Sequence, residues 1–126
     1  MFKRVQLKNQ FEPRENGRVY GVDQLVDMAQ YPKARSLTMY CLADSNVDRA
    51  LTVRAVGNDS PDVINGLVAI GPAQSTTPVR ESKLAFSIQV SVAPFPFYGL
   101  IIDTGADAPN AGRVWAYADV WWEGTE

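Results

Sequence analysis

FYGLII, DTGADAPNAG and RVWAYADVWW, together residues 97–122, spell a strand, a turn-rich connection and a second strand. In the last segment Val114, Ala116, Ala118, Val120 and Trp122 fall on one side, and Trp115, Tyr117, Asp119 and Trp121 on the other, because successive side chains of a strand point to opposite faces. The first set is wholly apolar and belongs against an opposing sheet. The second carries a carboxylate among rings whose N–H or O–H groups need partners, the composition of a half-wet surface or an interface. The expected layout is a hairpin with the two strands side by side and DTGADAPNAG as its turn.

The same period recurs upstream. Over residues 83–92, Leu84, Phe86, Ile88, Val90 and Val92 alternate with Lys83, Ala85, Ser87, Gln89 and Ser91, the pattern of a strand with one buried face. Leu37, Met39, Cys41 and Ala43 alternate with Ser36, Thr38 and Tyr40, and Leu51, Val53 and Ala55 with Thr52 and Arg54; Val5 and Leu7 suggest a short first strand. Clusters of Gly, Pro, Asn and Asp at 15–17, 31–35, 44–46, 57–61, 71–78, 94–96 and 104–112 can reverse the chain between these runs, since each residue type favours a turn for its own backbone reason. Val22, Leu25, Val26 and Ala29 have helical spacing ahead of Pro32, and a strand through Leu25 and Met28 fits equally well. The expected fold is all-β: a single antiparallel β-sandwich, jelly-roll-like, of about seven or eight strands, with room for one short helix over residues 22–30.

At 126 residues the chain has length for one domain that buries roughly two thirds of its unfolded surface. Its net charge of -2 offers no general attraction to nucleic acid or to an anionic membrane. The charge is uneven: residues 1–35 hold 7 basic and 4 acidic groups, and the remainder 5 and 10. Residues 1–18 therefore read either as a docking arm presenting Lys3, Arg4, Lys8, Arg14 and Arg18 or as a first strand and polar loop, with the sandwich over 19–126. A single cysteine, Cys41, excludes an intrachain disulfide and reads as a small core hydrophobe. The first residues lack the apolar stretch of a signal peptide, so synthesis in a cytoplasm is expected.

The chemistry-bearing motifs are few. Ile101, Ile102 and then Asp103, Thr104, Gly105 and Ala106 resemble the active-site signature of retropepsin-like aspartic proteases, in which two aspartates share a proton across a dimer axis. That family's flap hairpin and bracing segment have no counterpart in the twenty residues after Ala106, and turn formation explains the letters. Without histidine the usual general base and the commonest transition-metal ligand are missing. Asp103, Asp107 and Asp119 read as loop and strand residues and not as a calcium site; no metal and no cofactor are expected. Pro94 and Pro96 put Phe95 and Phe97 on an edge or loop, as a plug of the sandwich end or as a second contact surface.

The run FPFYGLIIDTGADAPNAGRVWAYADVWW resembles in style the C-terminal hairpin of small β-sandwich accessory proteins in tailed-bacteriophage virions. That resemblance implies a non-enzymatic structural protein, a capsid decoration or cement protein or a tail component. Its partners would be its own copies and a major capsid or other virion protein, and its place the virion after synthesis in the host cytoplasm. Trp115, Tyr117, Trp121, Phe95 and Phe97 would be its interface residues. The alternative is a carbohydrate-binding β-sandwich that stacks a glycan on those rings.

Overall fold

The computed structural model describes residues 1–44, 47, 49–76, 83–92, 94–105, 109 and 112–123. The turns expected around 45, 46 and 77–82, with Asp107 and most of the 104–112 connection, lie outside them. Ten strands follow in order: β1 Phe2–Phe11, β2 Val19–Gly21, β3 Val26–Asp27, β4 Ser36–Ala43, β5 Leu51–Asn58, β6 Val68–Ala69, β7 Gln74–Thr76, β8 Lys83–Gln89, β9 Phe97–Asp103 and β10 Val114–Trp121. Every pairing is antiparallel: one sheet runs β1-β10-β4-β8, and the other has β9 and β5 at its centre, with β2 and β3 along β9 and β6 and β7 along β5. Taking β2 with β3 and β6 with β7 as two interrupted strands leaves eight positions, ordered 1-8-3-6 and 2-7-4-5. That is the double-sheet jelly roll, so the expected all-β sandwich is what forms.

The core is the set of inward positions that the alternation marks. Leu37, Met39, Cys41 and Ala43 of β4 and Val114, Ala116, Ala118 and Val120 of β10 face Leu51, Val53 and Ala55 of β5 and Tyr98, Leu100 and Ile102 of β9, all buried. Alanine at 116 and 118, both fully buried, lets the larger Tyr98 and Leu100 of the opposing sheet share the core with them. Burial pushes the Cys41 thiol up from 9.0 to about 12. Because the thiolate is the reactive form, native protein at neutral pH should resist a disulfide reagent until denaturant exposes Cys41. Rapid stoichiometric labelling without denaturant would contradict this core.

Four expectations need correction. First, β9 and β10 do not form a hairpin, for they sit in different sheets. Each is a central strand with neighbours on both sides, and the connection, far longer than the two to five residues of a usual hairpin loop, crosses the sandwich. Second, of the two readings left open for residues 22–30 the helix does not form and the strand does, over Val26–Asp27 only. Val26–Asp27 pair with Tyr98 and Phe97 as β3, and Met28–Gln30 form one 3-10 turn capped by the Asp27 carboxylate, which accepts the Ala29 N–H at 3.0 Å. The apolar residues that mimicked a helix are used otherwise: Leu25 fills the space over Gly99, where a Cβ would lie 2.3 Å from its Cδ2. Third, β8 ends at Gln89 and not at Val92: Val90 N–H donates to Arg35 O and Val92 N–H to Gln89 O, and Val92 is exposed. Fourth, β1 is a ten-residue strand. Register shifts between Gln6 and Lys8 and between Lys8 and Phe11 are β-bulges, and they disguise its alternation.

Candidate functional site

The outward side chains of the four-stranded sheet form rows across it. By register, Phe2, Trp121, Ser36 and Gln89 share one row; Arg4, Asp119, Thr38 and Ser87 the next; then Gln6, Tyr117, Tyr40 and Ala85; and Trp115 lies beside Leu42. Rings from three strands thus meet on one face, drawn from segments that no local sequence window joins.

Their geometry is specific. Phe2 and Trp121 have ring centroids 4.7 Å apart and Tyr40 and Tyr117 4.8 Å apart, each pair tilted by 35°. Between the pairs, Arg4 Nε donates to Asp119 Oδ1 at 2.8 Å and Nη2 to Oδ2 at 3.0 Å, the bidentate fork that suits guanidinium and carboxylate. The Arg4 Cζ lies 4.2 Å from the centre of the Tyr117 ring and 6.0 Å from that of Phe2, within cation–π range. The hydrogen bond that Arg4 donates to Asp119 is the main cause that raises the Arg4 pKa, with desolvation opposing it.

This pair corrects the half-wet reading of Asp119. Its side chain is only 5% exposed, whereas that of Arg4 is 55% exposed, so the carboxylate is closed off and the guanidinium forms the surface. Trp121 at 38% and Phe2 at 49% remain exposed, and Trp115, Tyr117 and Tyr40 are half-buried. Phe2 and Tyr40 escaped sequence reasoning, and Arg4 was read only as part of a docking arm, because only the β1-β10-β4 register brings them to Trp121 and Tyr117; the alternation of β4, which sets Tyr40 outward, was the available signal.

The remaining predicted residues lie elsewhere. Phe97 begins β9 of the other sheet, Phe95 lies in the segment just before it, and neither joins this face. The Phe95 ring packs over Gly57, edge-on to Tyr98 at 6.1 Å, and its N–H donates to Tyr98 Oη at 2.9 Å; Phe97 sits between Asn58 and Asp27. Of the basic residues near the start, Lys3 is exposed, Lys8 pairs with Asp23 at 3.3 Å, Arg14 with Glu12 at 3.3 Å and Arg18 with Glu15. Residues 2–11 are thus a sheet strand, and residues 12–18 a loop with internal ion pairs.

The DTG residues form a turn. Asp103 Oδ1 accepts the Gly105 N–H at 2.7 Å, and Gly105 has φ +64°. The buried Thr104 Oγ lies 2.6 Å from Glu15 O and accepts the Arg18 N–H at 3.3 Å. Asp103 and Asp119 stand in different sheets, and among the described residues no group of three His, Cys, Asp or Glu side chains is placed to hold a metal. No helix among the described residues is long and apolar enough to cross a membrane.

No protein-family model matches the sequence, and no curated protein matches it. Solved structures do resemble the fold. The PBSX exported protein XepA aligns over 98% of this chain and 38% of its own, with 12% identity and a TM-score of 0.65. A chain of Triatoma virus aligns over 94% of this chain and 63% of its own, with 14% identity and a TM-score of 0.57. The VP2 subviral particle of infectious bursal disease virus aligns over 97% and 33%, with 13% identity and a TM-score of 0.52. The chain therefore spans less than two thirds of the length of each, and the likeness is one of fold.

Proposed function

We propose that this chain is a non-enzymatic structural protein of a phage virion, a capsid decoration or cement protein, acting through the outer face of its four-stranded sheet. The observation that carries the reading is the cluster of Phe2, Trp121, Tyr117, Tyr40 and Trp115 around the Arg4–Asp119 pair. Exposed rings beside a fixed guanidinium have the composition of an interface centre, where Trp, Tyr and Arg supply most of the binding energy. The jelly roll shared with Triatoma virus and VP2 supports a role in assembly. The closed DTG turn supports a role without catalysis. The partners are copies of this chain and a major capsid or other virion protein.

The arrangement favours protein over glycan. A sugar platform needs open ring faces and a free carboxylate, whereas Arg4 covers Tyr117 and both Asp119 oxygens are engaged. Sedimentation at rising concentration, with and without the virion particles of the source phage, is the test. Wild-type protein should self-associate or bind particles, and Trp121→Ala with Tyr117→Ala should weaken this by about 100-fold, at roughly 1.4 kcal/mol per tenfold. A monomer at every concentration that ignores particles would overturn the reading, and Trp121-dependent binding on a glycan array would replace it.

A further inference from the structure

The edge of the same sheet carries a second feature. Met1 and Trp122 exchange both backbone hydrogen bonds, at 3.1 and 3.0 Å. In an antiparallel ladder, bonded and non-bonded positions alternate, so Lys3 and Val5 turn their backbone groups toward β10, and Phe2, Arg4 and Gln6 turn theirs away. Gln6 fits this phase, since its carbonyl accepts the Gln24 side-chain N–H from outside the sheet at 2.6 Å.

Beyond Gln6 the edge is closed. Leu7 O accepts the N–H groups of Asp23 and Gln24 at 2.7 and 3.3 Å, and the Asp23 carboxylate takes the Asn9 N–H at 3.2 Å and the Lys8 ammonium at 3.3 Å. Before Gln6 it is open: the N–H and C=O of Phe2 and of Arg4 have no partner among the described residues. The opposite edge, β8, is partly stoppered by Gln74, whose side chain donates to Ala85 O at 2.8 Å.

We propose that residues 2–5 are a docking edge for an extended acidic segment of a partner protein, which adds to the four-stranded sheet as a fifth strand. An open edge with regular geometry is a template for strand addition, and the charges choose the occupant. Lys3 is exposed without an ion pair among the described residues, and Arg4 keeps half its side chain in solvent. A second copy pairing about a two-fold axis would set Lys3 opposite Lys3 or Arg4 opposite Arg4, and like charges directly opposite each other destabilise a strand pair. A segment with a carboxylate facing Lys3 gains where a second copy loses. On the outer side the same segment would lay apolar residues beside the exposed Phe2 and Trp121. The inference deepens the assembly reading and rests on it, naming the partner's chemistry.

The test uses the full chain, isotopically labelled, with two acetylated pentapeptides alternating valine with glutamate or valine with lysine. The glutamate peptide at millimolar concentration should slow hydrogen exchange at the Phe2 and Arg4 amides by about tenfold or more, and the lysine peptide should not. Lys3→Glu, at an exposed position that leaves the β1–β10 ladder intact, should reverse that preference. No protection by the glutamate peptide, equal protection by both, or indifference to Lys3→Glu would overturn the proposal. So would a dimer that forms through this edge without peptide. If the peptide fails while Trp121-dependent assembly persists, the edge proposal falls alone; if assembly is absent as well, the wider reading falls with it.

Discussion

Tyr98→Ala should lower the free energy of unfolding by about 4 kcal/mol, as large-to-small changes at fully buried rings do. Tyr98 is completely buried in the middle of the core cluster, so the lost ring leaves a cavity that the two sheets cannot both close. Its hydroxyl also accepts the Phe95 N–H, and removing it frees the segment that caps this end of the sandwich. Urea unfolding should show a midpoint lower by roughly 2 M at an ordinary slope for this size. Tyr98→Phe, which keeps the volume and loses the acceptor, should cost about 1 kcal/mol. A Tyr98→Ala midpoint within experimental scatter of wild type would mean that the ring does not fill this core.

Gly57→Val tests the same neighbourhood from the other side. A Cβ at position 57 would lie 2.3 Å from the Phe95 ring, a distance that requires the ring to leave. Overpacking of this kind costs roughly 1–3 kcal/mol, with the upper end expected because the clash meets the base of the ring and not its tip. Valine favours strands, so propensity alone predicts a gain in stability; the sign of the measured change decides which effect wins. The near-ultraviolet signal of Tyr98 should change with it. Phe95→Ala made in the Gly57→Val background should recover part of the loss, since it removes the clashing group. If the double variant is no better than the single, Phe95 is not what the valine displaces.

Much of the sandwich was legible because β4, β8 and β10 each keep one face dry and one wet, so the period of two survives in their letters. In β5 the alternation fades after Ala55, where Val56, Gly57 and Asn58 are all buried. Phe95 covers Gly57 there, and Asn58 donates to Asp62 O and Asn65 O at 2.8 Å each. Residues 22–30 were ambiguous because the spacing of Val22, Leu25, Val26 and Ala29 suits a helix face as well as a short strand preceded by a residue that packs over a glycine.

The candidate site was half legible. Trp115, Tyr117, Asp119 and Trp121 declared one face of a strand, but the partner of Asp119 lies 115 residues away, and bulges hide the strand that carries it. The assignment of β9 and β10 to opposite sheets had a signal in the length of their connection. It was masked by turn residues that serve a crossing as readily as a hairpin.

The pairing of β1 with β10 carries a consequence for how the protein is made. Among the described residues, β1 has no sheet neighbour other than residues 114–121, so on a translating ribosome it must wait for that partner until β10 has emerged. Folds dominated by such distant partners are slow, in the range of milliseconds to seconds.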